Sequence, residues 1–144
     1  MKRPTKGIAV DCACSGNPGK AKYRGILLQT GEIIFSYEIK GLCTNNIAEF
    51  VALVHGVDYK IKNNIIGKVY SDSTTALAWY RKKKHNSKMI KNLDTACAWT
   101  LLEHAVFKIP AIDSASLIDF WNNEKYGETP ADYGNKKARS KHWL

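Results

Sequence analysis

Residues 7–14, Gly-Ile-Ala-Val-Asp-Cys-Ala-Cys, are small or apolar at every position but one. An apolar run that does not alternate reads as a strand covered on both faces, because a half-solvated strand places a polar residue at every second position. A strand of this kind points to a layered arrangement of sheet and helices. The exception, Asp11, is the more informative residue. A charge inside such a strand costs several kcal/mol unless it is paired or coordinates a metal. The competing reading at this point is an acid at a strand end bonded to loop amides.

The residues around this run extend the pattern. A turn is expected at Ser15-Gly16-Asn17-Pro18-Gly19, then strands over Tyr23 to Gln29 and Ile33 to Ile39 separated by Thr30-Gly31-Glu32, which makes an antiparallel meander. From Asn46 the period changes. Ile47, Phe50, Val51, Val54, Val57, Asp58 and Ile61 recur at intervals of three and four, and all but Asp58 are apolar, as in an amphipathic helix. A fourth strand is expected at Gly67 to Ser71, a basic helix from Ser73 to about Lys84, a longer helix from about Lys88 to His104, and a fifth strand from Ser116 to Trp121. Thr129-Pro130-Ala131-Asp132 has the residues of a helix start, with Thr129 as cap and Pro130 at the first helical position. The resulting order, βββ-α-β-α-α-β-α, predicts one α/β domain over residues 1–144 with a five-stranded mixed sheet flanked by helices.

The formal net charge is +9, so a polyanion is the natural partner, since Lys and Arg gain affinity by releasing counterions condensed on phosphate. The four cysteines, Cys12, Cys14, Cys43 and Cys97, lack the second pair or nearby histidine that would complete a tetrahedral zinc site. Cys12 and Cys14 read instead as small buried hydrophobes, reduced as in a cytoplasm. No stretch approaches the roughly 18 apolar residues of a membrane helix, and the basic start lacks a signal-peptide core. A cytoplasmic monomer with no obligate protein partner is the expectation.

Three further acids stand at element ends. Asp72 follows the fourth strand, where open α/β sheets collect ligands, and is equally placed to cap the next helix. Glu49 occupies the third helical position if Asn46 is the cap, which completes a capping box, yet it lies away from the apolar stripe and is free to project toward a strand end. Asp132 stands in a first helical turn, where an acid favours the helix dipole. Singly, each has an ordinary structural role. Collected near one small sheet in a basic protein, they suit magnesium or manganese, hard ions that take oxygen ligands and suppress mutual repulsion.

At four places the chain resembles the type 1 ribonucleases H. Asp11 with Cys14-Ser15-Gly16-Asn17-Pro18-Gly19 is similar to that family's first strand and D-x-x-C-x-G-N-P-G turn. Thr44-Asn45-Asn46 with Glu49 resembles its T-N-N-x-x-E helix start, Tyr70-Ser71-Asp72-Ser73 its T-D-S strand end, and Pro130-Ala131-Asp132 its final A-D pair. The resemblance implies a ribonuclease H-like fold and an endonuclease that hydrolyses the RNA strand of RNA/DNA hybrids, leaving 5′-phosphate and 3′-hydroxyl ends. It implies two Mg²⁺ or Mn²⁺ ions held by Asp11, Glu49, Asp72 and Asp132. Asp11 would bridge the two, Asp132 would help hold the ion that activates water, and Glu49 and Asp72 the ion near the leaving oxygen. Asn17, Asn45 and Asn46 would meet 2′-hydroxyls in the shallow minor groove, and Thr44 a DNA phosphate. Trp79, Arg81, Lys82, Lys83 and Lys84, with Tyr80, His85, Lys88 and Lys91 around them, resemble in position a basic helical protrusion that grips the hybrid.

The chain departs from the family pattern at three points. Residues 122–131 contain no histidine, although members carry one in the loop before the last helix; His142 lies ten residues beyond Asp132, and Lys125 or Glu128 are the local substitutes. Thr74 stands where a glutamine is common, and Cys12 where a glycine is common. None of these removes a carboxylate. Two other readings remain at this stage: a DNA-cleaving nuclease of the same superfold, and a non-catalytic or weakly active module that binds hybrids.

Overall fold

The computed structural model describes residues 2–133. Its elements run β1 (Gly7–Gly16), β2 (Gly19–Leu27), β3 (Glu32–Cys43), α1 (Asn45–Lys62), β4 (Lys68–Ser71), α2 (Thr74–Lys82), α3 (Ala96–Lys108), a 3-10 turn at Ser114–Ser116, β5 (Ile118–Phe120) and α4 (Asn123–Tyr126). The sheet order is β3-β2-β1-β4-β5. β1, β2 and β3 pair antiparallel, while β1–β4 and β4–β5 pair parallel. This is the mixed five-stranded sheet flanked by helices that the residue pattern predicts.

β1 occupies the centre, and Ile8, Ala9 and Val10 are fully buried there. α1 lies across β1 with α2 and α3 packed against it. The helix approaches the sheet closely at Gly56, where a Cβ would stand 2.7 Å from Val69 Cγ1 and 3.1 Å from Val10 Cγ1, so no larger residue fits without displacing the helix. Ile47, Phe50, Val51, Val54 and Val57 are buried as their spacing requires, whereas Ile61 at the last turn is 42% exposed. Asp58 stays on the surface and pairs with Lys62 at 3.0 Å.

The helix expected from about Lys88 begins only at Ala96. Polar side chains between the helices bond their own backbone and so compete with helix formation. Asn92 Oδ1 accepts from the amides of Asp94 (2.9 Å) and Thr95 (3.1 Å), and Thr95 Oγ1 donates to Ile90 O at 2.6 Å. The Asp94 carbonyl is also committed, accepting from Leu42 N on β3 at 2.7 Å. α2 likewise stops at Lys82, with Lys83 as a left-handed C-cap. The basic stretch is therefore a short helix end followed by a loop, not a continuous helical protrusion.

α4 is not announced by any apolar period. Asn122 caps it, accepting from Glu124 N at 3.0 Å and Lys125 N at 3.2 Å. Beyond it, Thr129 turns the chain as expected of a cap: its Oγ1 accepts from Ala131 N at 2.9 Å and its carbonyl from Asp132 N at 3.0 Å. The remainder of the helix expected there, and His142, lie outside the described residues. Among the described residues no helix is long and apolar enough to cross a membrane.

Candidate metal centre

Asp11 sits within β1 opposite Arg24 of β2. Only 7% of it is exposed. Its Oδ1 accepts from the following amide, Cys12 N, at 2.8 Å. Burial first, then the charge of Asp72 and more weakly that of Asp132, pushes its carboxyl up to about 7 despite hydrogen bonding from Glu49 and Cys12. A carboxylate in this position is held at the edge of ionisation by its neighbours.

Glu49 reaches the same place from α1. The N-cap of that helix is Thr44, whose Oγ1 accepts from Ile47 N at 3.3 Å, and not Asn46. Glu49 is thus two residues too far along to close a capping box, and its carboxyl turns inward, 4% exposed. One of its oxygens, Oε1, is buried with no hydrogen-bond partner. Its pKa lies well above the usual value, through burial and then the charge of Asp11. An unpaired buried carboxylate oxygen beside a second buried acid is expensive unless a cation completes it.

Asp72 follows β4 and is half-buried, but Ser73 caps α2 in its place, accepting from Ala76 N at 3.0 Å. Released from capping, the Asp72 carboxylate accepts from Asn123 Nδ2 on α4 at 2.9 Å. Asp132, also half-buried, is presented by the Thr129 turn and held through its backbone. Arg24, completely buried, donates from Nε to Ala131 O at 2.9 Å and from Nη2 to Asp132 O at 3.0 Å, with its guanidinium 4.5 Å from the Tyr133 ring centroid. Glu128 bonds the Asp132 carboxylate and is raised by that bond and by the charge of Asp132. Of the four acids, Asp11 and Glu49 bring donor atoms within 4.8 Å of each other, while Asp72 and Asp132 act on Asp11 through their charge; carboxylate oxygens so gathered suit a hard divalent cation.

The structure also places the residues expected to touch nucleic acid. Asn17, Asn45 and Asn46 are exposed beside the acids, and Asn17 Oδ1 accepts from Asn45 N at 3.2 Å. The Thr44 hydroxyl is engaged as the helix cap. A groove of about 320 Å³ joins Asn17, Thr44 and Asn46 to Asn86, Ser87 and Lys88. Arg81, Lys82, Lys83 and Lys84 are exposed. Trp79 is not a surface aromatic: 6% exposed, it packs edge-on against Phe50 at 5.6 Å, and its indole N–H donates to Asn86 Oδ1 at 2.9 Å. Tyr80 is buried as well. The apolar face of this short helix buries Trp79 and Tyr80 together with Ala76 and Leu77.

Three residues at the site escape a reading of the sequence. Arg24 continues the alternation of Lys20 and Lys22 and looks like another solvated cation. Asn123 lies in a stretch without period. Cys12, expected to be a buried hydrophobe, is half-buried with its thiol 3.3 Å from Asn45 Oδ1.

Comparison with known proteins supplies the lineage. LC11-RNase H1, isolated from compost by a metagenomic approach, superposes with a TM-score of 0.53 at 20% identity, covering 96% of this chain and 98% of that one. RNase H1 of the halophilic archaeon Halobacterium salinarum NRC-1 gives a TM-score of 0.49 at 18% identity over 83% of this chain and 87% of its own. The former shares the fold described above. The RNase H family model matches residues 4–110, spanning β1 through α3 and with them Asp11, Glu49 and Asp72. With that match running over most of its length, the chain belongs to the RNase H family and is a ribonuclease H enzyme.

Proposed function

We propose that this enzyme hydrolyses the RNA strand of RNA/DNA hybrids, leaving 5′-phosphate and 3′-hydroxyl ends, with Asp11, Glu49, Asp72 and Asp132 holding two Mg²⁺ or Mn²⁺ ions. The observation that carries this reading is the unpartnered Glu49 Oε1 beside an Asp11 carboxyl pushed up to about 7. Folding has gathered acids at a cost that a proton relieves at low pH and a bound cation offsets when they are ionised. When bound, a pair of such ions activates water and neutralises charge at the scissile phosphate.

The chain's own residues have distinct tasks. Asp11 and Glu49 form the buried floor of the site, and Asn123 and Arg24 orient Asp72 and the Asp132 segment. Asn17, Asn45 and Asn46 offer amides that both donate to and accept from 2′-hydroxyls, which is how an RNA strand is told from DNA. Exposed Arg81, Lys82, Lys83 and Lys84 draw in the phosphate backbone. In the loop that lacks a histidine, Glu128 stands against the Asp132 carboxylate, which raises the Glu128 pKa, and is the group placed to move a proton there. Residues 1–144 act as one RNase H domain.

The test is incubation of the protein with end-labelled RNA/DNA hybrid, duplex DNA and duplex RNA, with and without Mg²⁺ or Mn²⁺. The expected result is metal-dependent cutting of the hybrid's RNA strand alone. Tight hybrid binding with no cleavage under either metal would make the protein a binding module. Full activity in Asp11→Asn would remove Asp11 as the shared ligand.

A further inference from the structure

Cys12 follows Asp11 directly, and its thiol belongs to the acid cluster. One donor atom each from Asp11, Cys12 and Glu49 lies within 4.8 Å of the others. No second group of three such residues occurs among the described residues. Around a single tetrahedral zinc ion, with Zn–S about 2.3 Å and Zn–O about 2.0–2.2 Å, donors stand about 3.4–3.7 Å apart, about 1 Å closer than the 4.8 Å within which these atoms lie. Small side-chain rotations therefore bring all three onto one ion. Asn45 Oδ1, which accepts from Cys12 Sγ at 3.3 Å, borders the same position.

The other cysteines described at this end of the sheet are differently engaged. Cys14 Sγ bonds Gly16 O at 2.7 Å and Cys43 O at 3.2 Å, and Cys43 Sγ bonds Thr44 O at 3.3 Å, so both thiols are turned to backbone carbonyls. Cys12 Sγ has Asn45 O at 3.7 Å and Asn45 Oδ1 at 3.3 Å, and in addition stands within 4.8 Å of a carboxylate oxygen of Asp11 and of Glu49. The second observation is independent of the sulfur: Glu49 is 96% buried, the complement of its 4% exposure, and its Oε1 has no donor.

We propose that Cys12 Sγ, with one carboxylate oxygen from Asp11 and one from Glu49, forms a mixed sulfur–oxygen site for a thiophilic divalent cation, Zn²⁺ or Cd²⁺, and that an ion held there blocks hydrolysis. Sulfur selects against Mg²⁺, which prefers oxygen and near-octahedral geometry, and in favour of softer ions. As the sulfur–metal bond forms, the S–H bond breaks and its proton passes to solvent. The captured ion occupies Asp11 and Glu49 and so removes two carboxylates from the Mg²⁺ site. This inhibitory half rests on the function proposed above; the binding half does not.

The experiment titrates Cd²⁺ into the full-length metal-free protein and follows the ultraviolet sulfur-to-metal charge-transfer band. The wild-type protein and Cys97→Ser are expected to saturate at one ion per chain. Cys12→Ser loses the band, and Glu49→Gln, which keeps the thiol, binds about tenfold or more weakly. In parallel, Zn²⁺ is added to Mg²⁺-supported hybrid cleavage, each protein being referred to its own rate in Mg²⁺ alone. The Zn²⁺ concentration for half-inhibition rises about tenfold or more in Cys12→Ser. A Cd²⁺ band that survives in Cys12→Ser, or that is indifferent to Glu49→Gln, overturns the site. Undiminished Zn²⁺ sensitivity in Cys12→Ser overturns the inhibition. Absence of hybrid cleavage in the wild type refutes the proposed function and the inhibition with it, while the Cd²⁺ band still decides the thiol site.

Discussion

Replacing Asp11 by asparagine is expected to make the metal-free protein more stable at pH 8, and the magnitude follows from the site. In the folded chain the Asp11 carboxyl is pushed from an ordinary 3.8 up to about 7, chiefly by burial and next by the charge of Asp72. A raised carboxyl pKa means that the folded chain keeps its proton over a range where the unfolded chain has released it. The stability contributed by the neutral form is therefore complete below about 4 and is lost as pH rises to about 7. The gap of about 3 in pKa, at about 1.36 kcal/mol each, sets a cost near 4 kcal/mol at pH 8. Asparagine keeps an acceptor for Cys12 N and carries no charge, so Asp11→Asn recovers about 2–4 kcal/mol, or about 10 °C in Tm for a chain of this size. Urea unfolding with EDTA at pH 8 and pH 4.5 measures this directly. The advantage of the variant shrinks at pH 4.5, where the wild-type site is protonated. Added Mg²⁺ reverses the order at pH 8, because a ligand that binds only the folded state stabilises it and the variant has lost a ligand. A variant no more stable than wild type at pH 8 without metal, or equally favoured at both pH values, would refute this account of the acid cluster.

Other substitutions separate the roles of neighbouring residues. Arg24→Met leaves the Ala131 and Asp132 carbonyls without their charged donor and is expected to cost about 3 kcal/mol or more in urea unfolding; it also raises the Mg²⁺ concentration for half-maximal cleavage. Asn123→Ala frees the Asp72 carboxylate and lowers metal affinity or activity about 10–100-fold, read from Mg²⁺ titrations of the cleavage rate. Changing Lys82, Lys83 and Lys84 together to glutamine weakens hybrid binding alike for all sequences and flattens its salt dependence, by about 0.9 in log–log slope for each phosphate contact removed. Trp79→Ala acts on the fold instead, with about 3–5 kcal/mol lost in unfolding experiments, since its ring lies in the core.

Much of the molecule follows from local pattern. The unbroken apolar run at residues 7–14 specified a central strand, and the three-and-four spacing from Ile47 to Val57 specified α1 with its buried face. The breaks between periods placed the acids at element ends, and Asp11 stood out energetically from its neighbours alone. These properties are visible in sequence because they depend on residues within a turn or two of each other. What local pattern left undecided was which competing partner each polar group would take. Asn46 and Thr44 are both good caps, and Thr44 won, which turned Glu49 into the cluster; Ser73 took the cap that would have occupied Asp72. The helix expected from Lys88 lost to side chains of Asn92 and Thr95 that bond their own backbone. Most of all, Arg24 reads as a surface lysine's equivalent until the chain brings Ala131 and Asp132, more than a hundred positions away, against it. Its charge is buried because folding supplies two carbonyls and the Tyr133 ring at that one point. Sequence determined that the acids exist and roughly where the sheet presents them; only the tertiary structure decided that Asp11 and Glu49 share one desolvated site with half-buried Asp72 and Asp132 acting on it, because desolvation is a property of everything packed around a group and not of its neighbours along the chain.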